Sequence, residues 1–175
     1  MRRKLERWLL PSLFALWLIV LLRITVFRDG CFRHGLFSGR VEWIPFVYLA
    51  KLIEVGYWRY FTYLFVGNLI WFVPAGIYVR LHDVRRAAEG APRRHGLCRA
   101  AALGFCLSLG IELAQFVLGS GVTEVEDLIL NSIGAVLGWL AAGFGRKARR
   151  SAAGNRRFRQ SAFGNRQSET GDSHQ

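Results

Sequence analysis

Acid is scarce in this chain: 12 Asp and Glu stand against 24 Lys and Arg in 175 residues, a net charge of +12. Cysteine is scarcer. Cys31, Cys98 and Cys106 are the three present, none in a C-x-x-C spacing, so a disulfide framework is excluded and each reads as a packing residue. The chain has no H-E-x-x-H, no G-x-S-x-G and no nucleophile–histidine pair. His34, His82, His95 and His174 all lie away from the carboxylates of the apolar segments. The common hydrolase and zinc-protease chemistries therefore lack their residues, and no metal or cofactor is expected. What the chain has in quantity is apolar side chains, 52% of the total, with 14% aromatic. Charge falls in blocks between apolar blocks, which argues against a disordered chain and against a soluble nucleic-acid-binding domain.

Each apolar block is long enough to cross a bilayer, which takes about 20 residues of helix. Four spans are expected, over residues 8–27, 61–79, 97–118 and 125–144. The first is long, carries Arg23 and has no small-x-small cleavage site, so it reads as a retained helix rather than a cleaved signal. Residues 41–60 are aromatic but interrupted by Lys51 and Glu54, three apart on one helical face. That pattern suits an amphipathic segment lying in the interface or re-entering it. The fold class is then all-α: an integral membrane four-helix bundle with one such segment between its first two helices.

Arginine and lysine crowd three places: the N-terminus, residues 80–99, and the tail after residue 145. By the positive-inside rule, four spans put all three blocks in the cytoplasm, with both termini there. The turn after the third span is acidic, with Glu124, Glu126 and Asp127. Residues 1–145 form the expected membrane domain. Residues 146–175 read as a disordered basic tail with a ten-residue near-repeat, Ser151-Ala-Ala-Gly-Asn-Arg156 and Ser161-Ala-Phe-Gly-Asn-Arg166. The basic loops and tail suit anionic lipid headgroups; no nucleic acid is expected as a partner.

Polar groups within the spans are costly, about 2.5–3.5 kcal/mol for an ionised one, and usually mark function or a partner. Gly104, Ser108 and Glu112 recur at successive fours, and Gln115 lies on the same face, so the third helix carries a small-and-polar stripe that must face other helices. Asp127 and Asn131 open the fourth helix, whose face continues to a Gly134-x-x-x-Gly138 spacing. Counting along alternating helices puts Asn68, Glu112, Gln115, Asp127 and Asn131 in one half of the membrane, the outer one. Arg23 is placed as the counter-charge to Glu112. These six residues form the candidate polar pocket. Simple helix–helix hydrogen bonding, about 0.6 kcal/mol per bond, is the competing explanation for each.

Ile111-Glu112-Leu113-Ala114-Gln115, then Glu124-Val125-Glu126-Asp127, then Asn131-Ser132-Ile133-Gly134-Ala135 and Gly138 resemble the signature of VanZ-like membrane proteins. Gly67-Asn68-Leu69 leading to Phe72-Val73-Pro74-Ala75-Gly76 resembles the family's second helix. Trp43-Ile44-Pro45-Phe46 resembles its Pro-Phe segment, and Thr25-Val26-Phe27-Arg28 the end of its first helix. The resemblance covers residues 16–145. It departs at Gly121, where many members have Arg, and at Glu42, where many have Asn. It implies a bacterial plasma-membrane protein; the family's named member is associated with low-level resistance to teicoplanin, a lipid-tailed glycopeptide.

Two function classes follow. One is a non-enzymatic membrane protein that affects the cell envelope or lipoglycopeptide susceptibility by holding a lipid or lipid-linked ligand in the polar pocket. The other is an intramembrane enzyme on a lipid or lipid-linked substrate, with Glu112 and Asp127 as acid and base. An ion carrier ranks below both because the inner halves of the spans supply almost no charge. Oligomeric state is not legible.

Overall fold

The computed structural model describes residues 2–27, 35–90 and 95–145. It is mostly helical. The elements run α1 (Arg2–Thr25), β1 (Arg40–Glu42), α2 (Val47–Glu54), α3 (Trp58–Ala88), α4 (Gly96–Leu118) and β2 (Val122–Glu124), followed by α5 (Val125–Gly145). Four of these helices, α1, α3, α4 and α5, are long and apolar enough to cross a membrane. Their outward faces are apolar: Leu13, Ile19, Ile70, Leu113 and Leu137 are all exposed. In water such a surface would aggregate, whereas against lipid chains it needs no further cover. Contacts divide the chain into Met1–Leu140 and Ala141–Gln175. The described part of the second unit is the last turn of α5, and the tail expected to be disordered lies outside the described residues.

Two features differ from the sequence reading. First, α3 does not stop at residue 79. It continues to Ala88, so Arg80, Arg85 and Arg86 stand on helix rather than in a loop. No glycine or proline interrupts residues 80–88; Gly90, at φ 84°, follows the helix end. At ~1.5 Å per residue, α3 exceeds a bilayer core of ~30 Å, so its basic last turns project beyond the hydrocarbon. Second, the acidic turn is partly strand. β2 pairs in parallel with β1, with Arg40 opposite Val122, Val41 opposite Thr123 and Glu42 opposite Glu124. This pair defines one end of the molecule, the sheet end; the last turns of α3 mark the other, the arginine end.

The loop before β1 is seated on the last turn of α4. Phe37 N–H donates to the Val117 carbonyl at 2.8 Å and Gly39 N–H to the Phe116 carbonyl at 3.2 Å. Carbonyls at a helix C-terminus have no partner within the helix, and the loop supplies one. Gly39 is needed for the approach: a Cβ there would lie 2.5 Å from the Phe116 Cα.

Residues 47–54 form the short α2, far too short to span. It buries Leu49 and Leu52 against Leu130 of α5, with Phe61, Leu64, Phe65 and Leu69 of α3 packed around them. A second cluster joins Leu21 and Val26 at the end of α1 to Phe72 and Ile111. Between α3 and α5 the backbones nearly touch. A Cβ on Gly138 would sit 2.0 Å from the Val73 carbonyl oxygen, and one on Gly134 2.2 Å from that of Leu69. Only hydrogen fits at either position, so the Gly134-x-x-x-Gly138 spacing is a packing seam. Pro74 removes one backbone donor from α3. Next to the carbonyl it leaves unpaired, the Trp71 carbonyl accepts the Trp17 indole N–H at 3.1 Å, tying α1 to α3.

Candidate functional site

The stripe expected on α4 is its buried face. Ala100, Gly104, Ser108, Ile111, Glu112 and Gln115 are all buried, while Phe105, Leu109 and Leu113 face outward. Glu112, 2% exposed, is turned away from the lipid-facing surface. Its Oε2 accepts the Glu124 backbone N–H at 3.0 Å, and its own carbonyl accepts the Thr123 hydroxyl at 3.1 Å. A carboxylate inside α4 thus holds β2 in place from below.

Asn68 of α3 donates its amide to the Asp127 carboxylate of α5. Both are half-buried, and the bond fixes them at one depth. One turn further along α5, Asn131 Nδ2 donates to Ser108 Oγ at 2.8 Å, joining α5 to α4 in a fully buried contact. Gln115 Nε2 donates to the Thr25 carbonyl at 3.1 Å and so reaches the end of α1. These side chains thereby tie the end of α1, α3, α4, α5 and β2 together at the sheet end.

Arg23 is the exception. It is exposed, and its guanidinium donates to the Phe27 carbonyl, closing the last turn of its own helix. It makes no salt bridge to Glu112; among the described residues the salt bridge is Arg99–Asp83, at the arginine end. The pairing failed because depth alone was matched. Arg23 lies two positions from Leu21, the fully buried face of α1, and so points away from the bundle.

A residue missed by sequence reasoning is Glu126. It is 2% exposed, and its Oε2 accepts the Phe46 backbone N–H at 3.0 Å. Phe46 opens α2 in a left-handed conformation, φ 65°. Such a conformation costs an L-residue about 1–2 kcal/mol, so it needs fixing from outside. The Pro45-Phe46 segment and the acidic turn are therefore parts of one construction. The available signal was phase: Leu130 is four residues from Glu126, which puts Glu126 on the face that packs against α2.

The arginine end also carries more polar structure than the sequence indicated. Asp83 pairs with Arg99, and the Arg80 guanidinium lies 4.3 Å from the centre of the Trp139 ring. Trp139 and Asp83 both crowd Gly96, where a Cβ would meet Nε1 at 2.7 Å and Oδ2 at 2.8 Å.

The site can accept hydrogen bonds. Glu126 Oε1, Gln115 Oε1 and Asn131 Oδ1 are buried oxygens with no hydrogen-bond partner in the protein. Buried acceptors normally find partners, so each of these three oxygens keeps unused hydrogen-bonding capacity. Among the described residues, no three His, Cys, Asp or Glu side chains gather as a metal-binding group.

No curated protein and no solved structure matches the chain. The family model described as VanZ/LLP1 matches residues 8–146, from the start of the first apolar helix past the end of α5. Its span takes in the polar stripe of α4, the acidic turn and the Pro-Phe segment, and the chain is a member of the VanZ/LLP1 family.

Proposed function

We propose that the protein sits in the bacterial plasma membrane with both termini in the cytoplasm and binds the polar head of a lipid or lipid-tailed molecule at its sheet end, on the outer side. The observation that carries this is the set of three unpartnered buried oxygens on Gln115, Glu126 and Asn131. Acceptors of this kind suit a head rich in hydroxyl, amide or ammonium donors. The surroundings agree. Trp43, Tyr57, Trp58 and Tyr63 are exposed around the same end, and aromatic residues of this sort settle at the headgroup level. A ligand with its head in the polar cluster would keep its chains in the bilayer. Its capture alters envelope composition or the access of lipid-tailed glycopeptides to their targets.

The alternative is an intramembrane enzyme with Glu112 and Asp127 as acid and base. Its support is that both carboxylates stand at the sheet end, Glu112 on α4 against β2 and Asp127 on α5 against Asn68. Against it, each already has a structural partner, the Glu124 N–H and the Asn68 amide. Labelling of membranes with a photoactivatable lipid separates the readings. Binding is supported if labelling maps to α4 or α5 and falls about tenfold in Asn131→Ala, with no lipid converted by the purified protein. Labelling indifferent to Glu112→Gln and Asn131→Ala removes the binding reading. Turnover of a lipid extract that disappears with either carboxylate establishes the enzyme.

A further inference from the structure

The arginine end holds a cavity of about 520 Å³ between the start of α1 and the last turns of α3. Its deeper wall is formed by Pro11 of α1 and Tyr78 of α3, with Trp8 nearer the mouth. Its upper wall is basic, with His82, Arg85 and Arg86. The change from apolar to charged follows the axis of α3, and from Tyr78 to Arg86 it covers roughly 12 Å at ~1.5 Å per residue. That is the passage from acyl chain to headgroup. Depth agrees: Trp8, 70% exposed, begins the apolar run of α1, where an indole belongs at a membrane–water boundary.

We infer that this cavity is a binding site for one monoanionic phospholipid. The phosphodiester sits between Arg85 and Arg86, and an acyl chain lies along Trp8, Pro11 and Tyr78. Guanidinium groups hold phosphate oxygens through paired, charge-assisted hydrogen bonds. His82 adds a polar contact: its Nδ1 is buried and has no hydrogen-bond partner in the protein, while its ring stacks near Tyr78 with centroids 6.0 Å apart. Tyr78 is itself stacked on Phe14 of α1 at 4.1 Å, which holds the two walls together. Glu89 also lines the cavity. Two guanidiniums against one carboxylate leave a single net positive charge, which a phosphodiester neutralises and a zwitterionic head does not. The carboxylate then accepts from a headgroup hydroxyl, as glycerol offers. This site lies at the opposite end from the proposed ligand cluster and does not depend on it.

The test is native mass spectrometry of the full chain in mild detergent, titrated with phosphatidylglycerol, phosphatidylethanolamine or sn-glycerol 3-phosphate. Wild type should retain one phosphatidylglycerol and at least about tenfold less phosphatidylethanolamine, and glycerol 3-phosphate should not compete. Arg85→Gln with Arg86→Gln should lower phosphatidylglycerol retention about tenfold or more, as expected for losing two charged contacts. Lys51→Gln with Arg59→Gln removes the same charge at the sheet end and should leave retention unchanged. Tyr78→Leu keeps the charges and helix but loses the aromatic wall, and should weaken retention severalfold with helicity intact. Equal retention of the two lipids, competition by glycerol 3-phosphate, or wild-type retention by the double arginine variant would each overturn the proposal.

Discussion

A carboxylate buried in a membrane helix can be kept for structure or for ligand, and Glu112 allows the two to be separated. Its visible partner is a backbone N–H at 3.0 Å, which an amide oxygen accepts as well as a carboxylate oxygen does. Glu112→Gln should therefore unfold within about 0.5 kcal/mol of wild type, whereas Glu112→Ala should lose about 1–3 kcal/mol, the cost of stranding a buried donor. Thermal unfolding in detergent, followed by helical circular dichroism, measures both. Asn131→Ala should cost less, about 0.6–1.7 kcal/mol, since it removes one interhelical hydrogen bond. At this scale the sequence was legible wherever helix phase decides. Gly104, Ser108, Glu112 and Gln115 are buried because they share one face and the other face is leucine and phenylalanine. It misled where depth stood in for direction, as at Arg23. At Glu126 phase with Leu130 offered the buried face but not the partner, a backbone N–H 80 residues away that no local pattern announces.

Among the elements, the α3–α5 seam is the contact least able to adapt. A methyl on Gly138 would overlap the Val73 carbonyl, and one on Gly76 would lie 1.7 Å from the Ala135 carbonyl oxygen. Backbone cannot swing aside as a side chain can, so Gly138→Leu should separate the helices and abolish the folded state. Gly110→Ala is the companion measurement. Nothing lies within 4 Å of a Cβ there, and glycine costs a helix about 1 kcal/mol relative to alanine, so this variant should be neutral or slightly stabilised. Comparing the unfolding temperatures of the two checks whether the seam or helix propensity governs. The four spans were readable because ~20 apolar residues in a row have few other fates. The end of α3 was not, because a run of arginines looks alike on a projecting helix and in a loop. Strands of three residues, as in β1 and β2, are too short to show a period of two, so the sheet has no sequence signature.

For the molecule as a whole, the proposed orientation rests on charge. The arginine end carries the basic turns of α3, and the sheet end carries Glu42, Glu124, Glu126 and Asp127. With the three native cysteines replaced by serine, Ser38→Cys should react with a membrane-impermeant thiol reagent in intact cells. Glu89→Cys should react only after the cells are opened. The reverse pattern would put the polar cluster on the cytoplasmic side and remove the proposed access to outer-leaflet ligands. The central claim, that the sheet-end cluster holds the head of a lipid-type molecule, is tested most directly by an experimental density map of the protein in native-lipid nanodiscs. The account expects a headgroup within hydrogen-bonding distance of the Gln115, Glu126 and Asn131 side-chain oxygens, its chains leaving between the helices. Those three oxygens bonded only to the protein itself or to isolated waters, with every lipid confined to the outer surface, would contradict it.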